Sequence, residues 1–276
     1  LSRAIDVLHL GRDRVICAYE VDGVIVDPGP ASSVDTLIDR LGRTQPRALL
    51  LTHIHLDHAG ATGVLCRRFP DLQVYVHEIG APHLVDPSKL LQSAGRLYGD
   101  DMWELWGEVA PVPEERIHRL SGGETVEGFK VAYTPGHASH HVCYLHEETG
   151  DAYVGDTAGV RIPPYEYTIA PTPPPDIDVE VWLDSLHAIA AWNPRSLCLT
   201  HFGQVTDVAE HLHRVRTHLL ESADSARLDG EERFIAGVEA GLTDATDPAT
   251  VEAFEQAAPP DQLYLGLARY WRKRAE

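Results

Sequence analysis

Nine consecutive residues constrain this chain more than any others: Thr52-His53-Ile54-His55-Leu56-Asp57-His58-Ala59-Gly60. Four side chains able to ligate a metal ion fall within six positions of it. They directly follow Ala48-Leu49-Leu50-Leu51-Thr52, a short apolar run with the signature of a buried strand. Side chains alternate in an extended segment, so His53 and His55 point to one side and reach one ion. A turn after Leu56 swings Asp57 and His58 toward a second. Three further donors stand in the same local setting. His137 follows the strand-like run 131–134 through Pro135-Gly136, Asp156 follows 152–155, and His201 follows 197–200. Layered α/β proteins build their sites at the carboxyl ends of strands. Four predicted strand ends that each deliver an imidazole or a carboxylate therefore point to one metal-binding edge. Nitrogen and oxygen donors of this kind suit zinc or iron.

The remaining sequence supports a layered fold. Residues 14–20 and 23–27 predict a hairpin, and 32–41 have helical spacing with a stop at Gly42. A helix is expected through Val64-Leu65-Cys66 and a strand over 72–76. Residues 81–116 break this rhythm; up to about residue 108 they predict helices rich in Leu and aromatic residues, an insertion lying over the scaffold and its site. Strands are expected at 125–133, 141–145, 152–155 and 196–200. The Pro-rich stretch 162–175 is too long for a simple connection, and such loops are usually functional or mobile. After Gly203 no strand is expected, and helices are predicted at 205–221, 230–241, 249–257 and 263–274. The expected organisation is an α/β unit over residues 1–205 with a helical C-terminal extension over 206–276.

Composition bears on the partner. Lys and Arg total 23 against 42 Asp and Glu, a net charge of −19. A surface this acidic repels phosphate backbones and anionic lipid, so neither nucleic acid nor a membrane is an expected partner, and a small-molecule substrate is. No apolar stretch approaches the roughly 18 residues that span a bilayer. Cys17, Cys66, Cys143 and Cys198 form no C-x-x-C pair, and three lie in strand-like runs, which predicts reduced, buried thiols. With no charged segment and apolar core in the first residues, a cytoplasmic protein is expected. A homodimer through the aromatic insertion is a further expectation.

These motifs resemble the metallo-β-lactamase superfamily, metal-dependent hydrolases with an αββα sandwich. The resemblance covers about residues 5–205 and rests on Val26-Asp27-Pro28-Gly29, the Thr52-to-Gly60 motif, Thr134-Pro135-Gly136-His137, Gly155-Asp156-Thr157 and Thr200-His201. It implies that His53, His55 and His137 bind one metal, that Asp57, His58 and His201 bind a second, and that Asp156 bridges both. The bridging aspartate is similar to glyoxalase II, lactonases, phosphodiesterases and tRNA-processing nucleases, and unlike true β-lactamases. The chain is most similar to glyoxalase II-like hydrolases, but its C-terminal half shows no basic set for glutathione.

The expected chemistry is hydrolysis of a small ester, thioester or lactone by a hydroxide shared between two divalent cations, zinc first, with iron or manganese as alternatives. Asp57 is the expected catalytic residue, orienting that hydroxide. A small-molecule phosphodiesterase and a di-iron redox or sensor protein are the rival functions. Asp27, and less strongly Thr157 and Thr200, are expected to orient ligand imidazoles. His141 is expected to be structural, and His211, His213 and His218 to be ordinary helix histidines, solvated or satisfied. Tyr98, Trp103, Trp106, Tyr165 and Tyr167 are candidate pocket residues.

Overall fold

The structure is a computed structural model and describes residues 2–275. Two six-stranded sheets form its centre. The first runs in sequence order: β1 (Arg3–Asp6), β2 (Cys17–Val21), β3 (Val24–Val26), β4 (Ala48–Leu50), β5 (Gln73–His77) and β6 (Ile117–Leu120). The second has the order β12-β11-β10-β9-β8-β7, from β7 (Thr125–Val126), β8 (Phe129–Tyr133), β9 (Val142–His146), β10 (Asp151–Tyr153), β11 (Ser196–Leu199) and β12 (Gly203–Val205).

Alternation of side chains explains the layering. Tyr19, Val24, Val26 and Leu50 of the first sheet meet Phe129, Val131, Tyr144, Tyr153 and Cys198 of the second in one buried cluster. Two buried tyrosines lock the sheets together: Tyr19 Oη donates to Leu199 O at 2.7 Å, and Tyr144 Oη to Leu51 O at 2.8 Å. The intervening residues, including Ala18, Ile25, Leu49, Ala152, Leu197 and Leu199, face outward into a second cluster shared with the helices. Those helices are α1 (Val34–Leu41), α2 (Leu56–Ala59), α3 (Thr62–Arg68), α4 (Ala81–Val85), α5 (Ser88–Tyr98), α6 (Met102–Trp106), α7 (Val179–Ala191), α8 (Val208–Leu228), α9 (Glu231–Ala245), α10 (Pro248–Ala257) and α11 (Pro260–Ala275). The expected αββα sandwich is present, with a helical insertion and a helical C-terminal extension.

Several expectations need correction. The single strand at 125–133 is two strands, because Glu127 and Gly128 both take positive φ (54° and 86°) and turn the chain. Strands β1 and β6 were not expected: of β1 only Ile5 is buried, and of β6 only Ile117 and Leu120, so neither shows strict alternation. Gly203–Val205 is a strand after all, a three-residue edge that is too short to show a period. Helix α7 was also not expected; it follows the Pro-rich stretch and is capped by Asp178, whose carboxylate accepts from Val181 N at 3.2 Å. The helical part of the insertion ends at Trp106.

All four cysteines are free and buried. Among the described residues no helix is long and apolar enough to cross a membrane.

Candidate metal centre

Strand direction gathers the site. Strand β8 is antiparallel to β9, β9 is antiparallel to β10, and β10 is parallel to β11. Strands β8, β10 and β11 therefore run the same way and end at one edge. The segments that follow them carry His137, Asp156 and His201. In the other sheet β3 and β4 are parallel, and their ends carry Asp27 and the His53-to-His58 loop. The two edges meet closely. A Cβ on Gly155 would lie 2.5 Å from Thr52 Oγ1 and 2.7 Å from His141 Nε2, so only glycine lets Asp156 approach the His53 loop. Gly136, with φ 130°, plays the same part beside His137: its Cβ would fall 2.4 Å from Trp182 Cα on α7.

All seven sequence-predicted donors converge. His53, His55, His137 and Asp156 form one group and Asp57, His58 and His201 another, with the donor atoms of each within 4.8 Å of one another. His55 Nδ1 lies 2.9 Å from His53 Nε2 and 3.1 Å from His137 Nε2. Asp156 spans the two groups: Oδ2 is 3.3 Å from His137 Nε2, while Oδ1 is 3.2 Å from His58 Nε2 and 3.7 Å from His201 Nε2. Asp57 Oδ2 is 3.3 Å from His201 Nε2.

The hydrogen bonds behind these rings decide which nitrogen faces inward. His137 Nδ1 meets Pro171 O at 2.9 Å and His201 Nδ1 meets Val15 O at 2.6 Å. A carbonyl only accepts, so both Nδ1 atoms carry the hydrogen and both Nε2 atoms present a lone pair. His58 Nδ1 is tied in the same way to Asp27 Oδ2 at 2.8 Å. Thr52 Oγ1 gives its one hydrogen to Asp27 Oδ2 at 2.7 Å, so it accepts from His53 Nδ1 at 3.1 Å. Four imidazole lone pairs thus point into one small space. His58 Nε2, His201 Nε2 and Asp156 Oδ1 are buried there with no hydrogen-bond partner. Unpartnered buried acceptors are costly, and a cation satisfies them together.

Electrostatics agree. Asp27, Asp57 and Asp156 pair only with histidines among the described residues, and no Lys or Arg enters. Burial alone would lower His58 and His201, but Asp156 and Asp57 outweigh it and raise both above the ordinary imidazole value. Burial lowers His53 and His55 instead, His55 to about 4, with neighbouring imidazoles adding to the effect. Asp57 and Asp156 are held low by His58 and their other imidazole neighbours against the upward pull of burial. A cluster this short of positive charge suits a pair of divalent cations.

Asp27 is the hub behind the donors, as expected. It accepts from Thr52 N at 2.8 Å, from Thr52 Oγ1, from His58 Nδ1 and from Thr200 Oγ1 at 3.0 Å. Thr157 does not orient a donor; its hydroxyl meets His141 Nδ1 at 3.1 Å. His141 is buried between Thr134 and Thr157 and lies outside both donor groups. His77 stacks on Tyr133. Of the tail-helix histidines, His213 is exposed, but His211 bonds Ala158 O at 2.7 Å and His218 accepts from Ala170 N at 3.1 Å. The carbonyls of Val15 and Pro171 were not foreseen, because any residue type supplies a carbonyl and sequence carries no mark of one.

The cluster forms the floor of a cleft of about 840 Å³ lined by His55, Asp57 and Asp156 below and by α5, the Pro-rich segment and the α10–α11 turn above. Tyr98 and Trp106 line it; Trp103, Tyr165 and Tyr167 do not. Trp103 is 73% exposed, and Tyr167 packs edge-on against Phe254.

Comparison with known proteins agrees with this geometry. A metallo-beta-lactamase fold-containing protein of Sulfurisphaera tokodaii is 27% identical over 212 residues, 73% of this chain and 77% of the relative. A hydroxyacylglutathione hydrolase of Enterobacter sp. (strain 638) is 35% identical over 134 residues, 49% of this chain; the match spans only 41% of that enzyme's length. Among solved structures, an archaeal metallo-beta-lactamase superfamily protein from Sulfolobus tokodaii superposes with a TM-score of 0.70 at 22% identity over 98% of each chain. A second, crystallised in a di-iron-bound form, has a TM-score of 0.56 at 24% identity, over 73% of this chain and 94% of its own. The superfamily's own sequence model matches residues 16–201, the span that holds both sheets' ligand-bearing ends, and the chain belongs to the metallo-beta-lactamase superfamily.

Proposed function

We propose that this chain is a two-metal hydrolase of small carboxylic esters, thioesters or lactones. One observation carries the reading: four inward-facing imidazole lone pairs and two carboxylates meet, without any Lys or Arg, at the floor of a cleft of about 840 Å³. His53, His55 and His137 would hold one cation, Asp57, His58 and His201 the other, with Asp156 between them. Zinc is the first choice for this donor set, with iron and manganese as alternatives. Divalent cations held there supply Lewis acidity and lower the pKa of the water they bind.

The chain's own residues do the rest. Asp27 fixes Thr52, His58 and Thr200, so the rings keep their lone pairs inward. Asp57 is a half-buried carboxylate of the floor, 21% exposed, placed to accept a hydrogen bond from a water on the substrate side and to orient it. The relatives named hydroxyacylglutathione hydrolase support a carbonyl substrate. The C-terminal wall of the cleft, from Gln256 to Leu263, offers no cation; the Lys and Arg of the lining, Lys89 and Arg96, stand on α5.

The test is a substrate panel on metal-replete protein: nitrophenyl esters, thioesters and lactones against bis-nitrophenyl phosphate. Turnover of the carbonyl compounds with the phosphodiester inert is the expected result. Turnover of the phosphodiester alone, or redox-active iron with no hydrolysis, overturns it.

A further inference from the structure

Helix α5 is amphipathic, yet it buries no residue. Leu90, Ala94 and Leu97 stand at i, i+4 and i+7 and form one stripe. Such a stripe ordinarily faces a core. Here Leu90 also packs against the core, but all three line the cleft, half-buried, while their neighbours Lys89, Ser93 and Arg96 are exposed along the same lining. Pro173, Pro174 and Leu263 stand among the residues of the other walls. The cleft is therefore apolar beneath α5 and polar at its floor, where His55, Asp57 and Asp156 lie. Its volume falls in the ~300–1,000 Å³ range of small-molecule sites. Because the same cavity reaches the donor cluster, its occupant has to present its reacting group there.

We infer that the cleft takes carbonyl compounds with a long apolar acyl group, laid along Leu90, Ala94 and Leu97 with the carbonyl at the floor. This rests on the hydrolase reading above. In the reaction water adds to the acyl carbon and the acyl C–O or C–S bond breaks. One proton of the water goes to the departing alkoxide or thiolate, the other is released to solvent, and a long-chain carboxylate leaves.

The experiment has two arms. Metal-replete protein is assayed with nitrophenyl esters from acetyl to decanoyl, below their aggregation limits. The expected kcat/KM rises by about fourfold per added methylene until the cleft is full. In Ala94→Trp the decanoyl ester loses at least tenfold more than the acetyl ester. Gln92→Trp, exposed and outside the cleft, keeps the wild-type gradient. The second arm measures decanoate binding by titration calorimetry, with folding of each variant checked by circular dichroism. Binding to the wild type and at least tenfold weaker binding to Ala94→Trp are expected. Esters cleaved with equal efficiency at every length, with decanoate binding indifferent to Ala94→Trp, overturn the inference while leaving the hydrolase intact. Inert esters with Ala94-dependent decanoate binding sink the hydrolase reading and uphold the apolar site. A dimer that sedimentation shows to be lost in Ala94→Trp assigns the stripe to a second copy and overturns the inference.

Discussion

The floor of the cleft and its roof are built on opposite terms. At the floor the donors follow strand ends, Asp57 and His58 on the short helix α2 beyond β4, and most are held from behind by a second group. Asp27 alone accepts four hydrogen bonds. The roof is α5, which has no fully buried side chain, and α6, which buries only Trp106. Groups that must hold a geometry to a fraction of an ångström are fixed by several packed elements at once. Groups that need only shape and an apolar surface are carried by a helix with few contacts beneath it. Local stability follows contact density, so α5 is expected to open more readily than the strand ends below it.

Substitutions at the floor break this contrast most sharply. Asp57→Asn keeps the volume but loses the negative charge and one of the two acceptor oxygens, and kcat is expected to fall by roughly 10²–10⁴, the usual weight of a positioned acid or base. Steady-state kinetics beside metal analysis checks this; normal turnover at normal metal content removes Asp57 from the mechanism. Asp27→Ala leaves His58, Thr52 and Thr200 without their common acceptor. Metal affinity is expected to weaken by about 10–100-fold, read by competition with a chromophoric chelator.

A smaller effect comes from histidines that ligate nothing. Burial depresses His9, His211 and His218 to about 4 and His140 to about 3. A depressed imidazole contributes stability that is complete above the unfolded value near 6.5. That contribution is lost as pH falls through the folded value. Calorimetry is therefore expected to show Tm dropping as pH falls from 6.5 to 4. A Tm that stays flat over that window contradicts the assignment of these four as buried neutral rings. The smallest effect belongs to the roof: Trp103 is 73% exposed and outside the cleft, so Trp103→Ala should move stability by less than about 0.5 kcal/mol and leave KM unchanged. A KM rise in that variant would mean that α6 folds down over the substrate.

The same contrast governs what the sequence shows of the molecule. The floor is legible because its chemistry demands particular residues at particular spacings: His53 and His55 two apart after a buried strand, and single donors after three more. Asp27 is legible only through the resemblance of Val26-Asp27-Pro28-Gly29 to the superfamily, since a turn aspartate by itself carries no such mark. The carbonyls of Val15 and Pro171 are not, since every residue has one, yet they set the tautomers of His201 and His137. Helix α7 carries a readable pattern, with Val179, Trp182, Leu186 and Ile189 buried at helical spacing after Asp178. The Pro-rich stretch before it disguises where the loop stops. Strands β6 and β12 sit at sheet edges; β6 buries only its two end residues and β12 is three residues long, so neither shows the alternation that marks a strand. Among the aromatic residues of the insertion and Pro-rich loop, composition could not separate Tyr98 and Trp106, which line the cleft, from Trp103, Tyr165 and Tyr167, which do not.

The most direct measurement is metal stoichiometry by elemental analysis of the purified chain and of two variants, His53→Ala and His201→Ala, chosen from the two donor groups. The expected result is two equivalents in the parent and about one in each variant, with Asp156 left to serve the remaining ion. A fully active parent that holds no metal, or variants that keep both equivalents, would show that these converging side chains serve some other purpose.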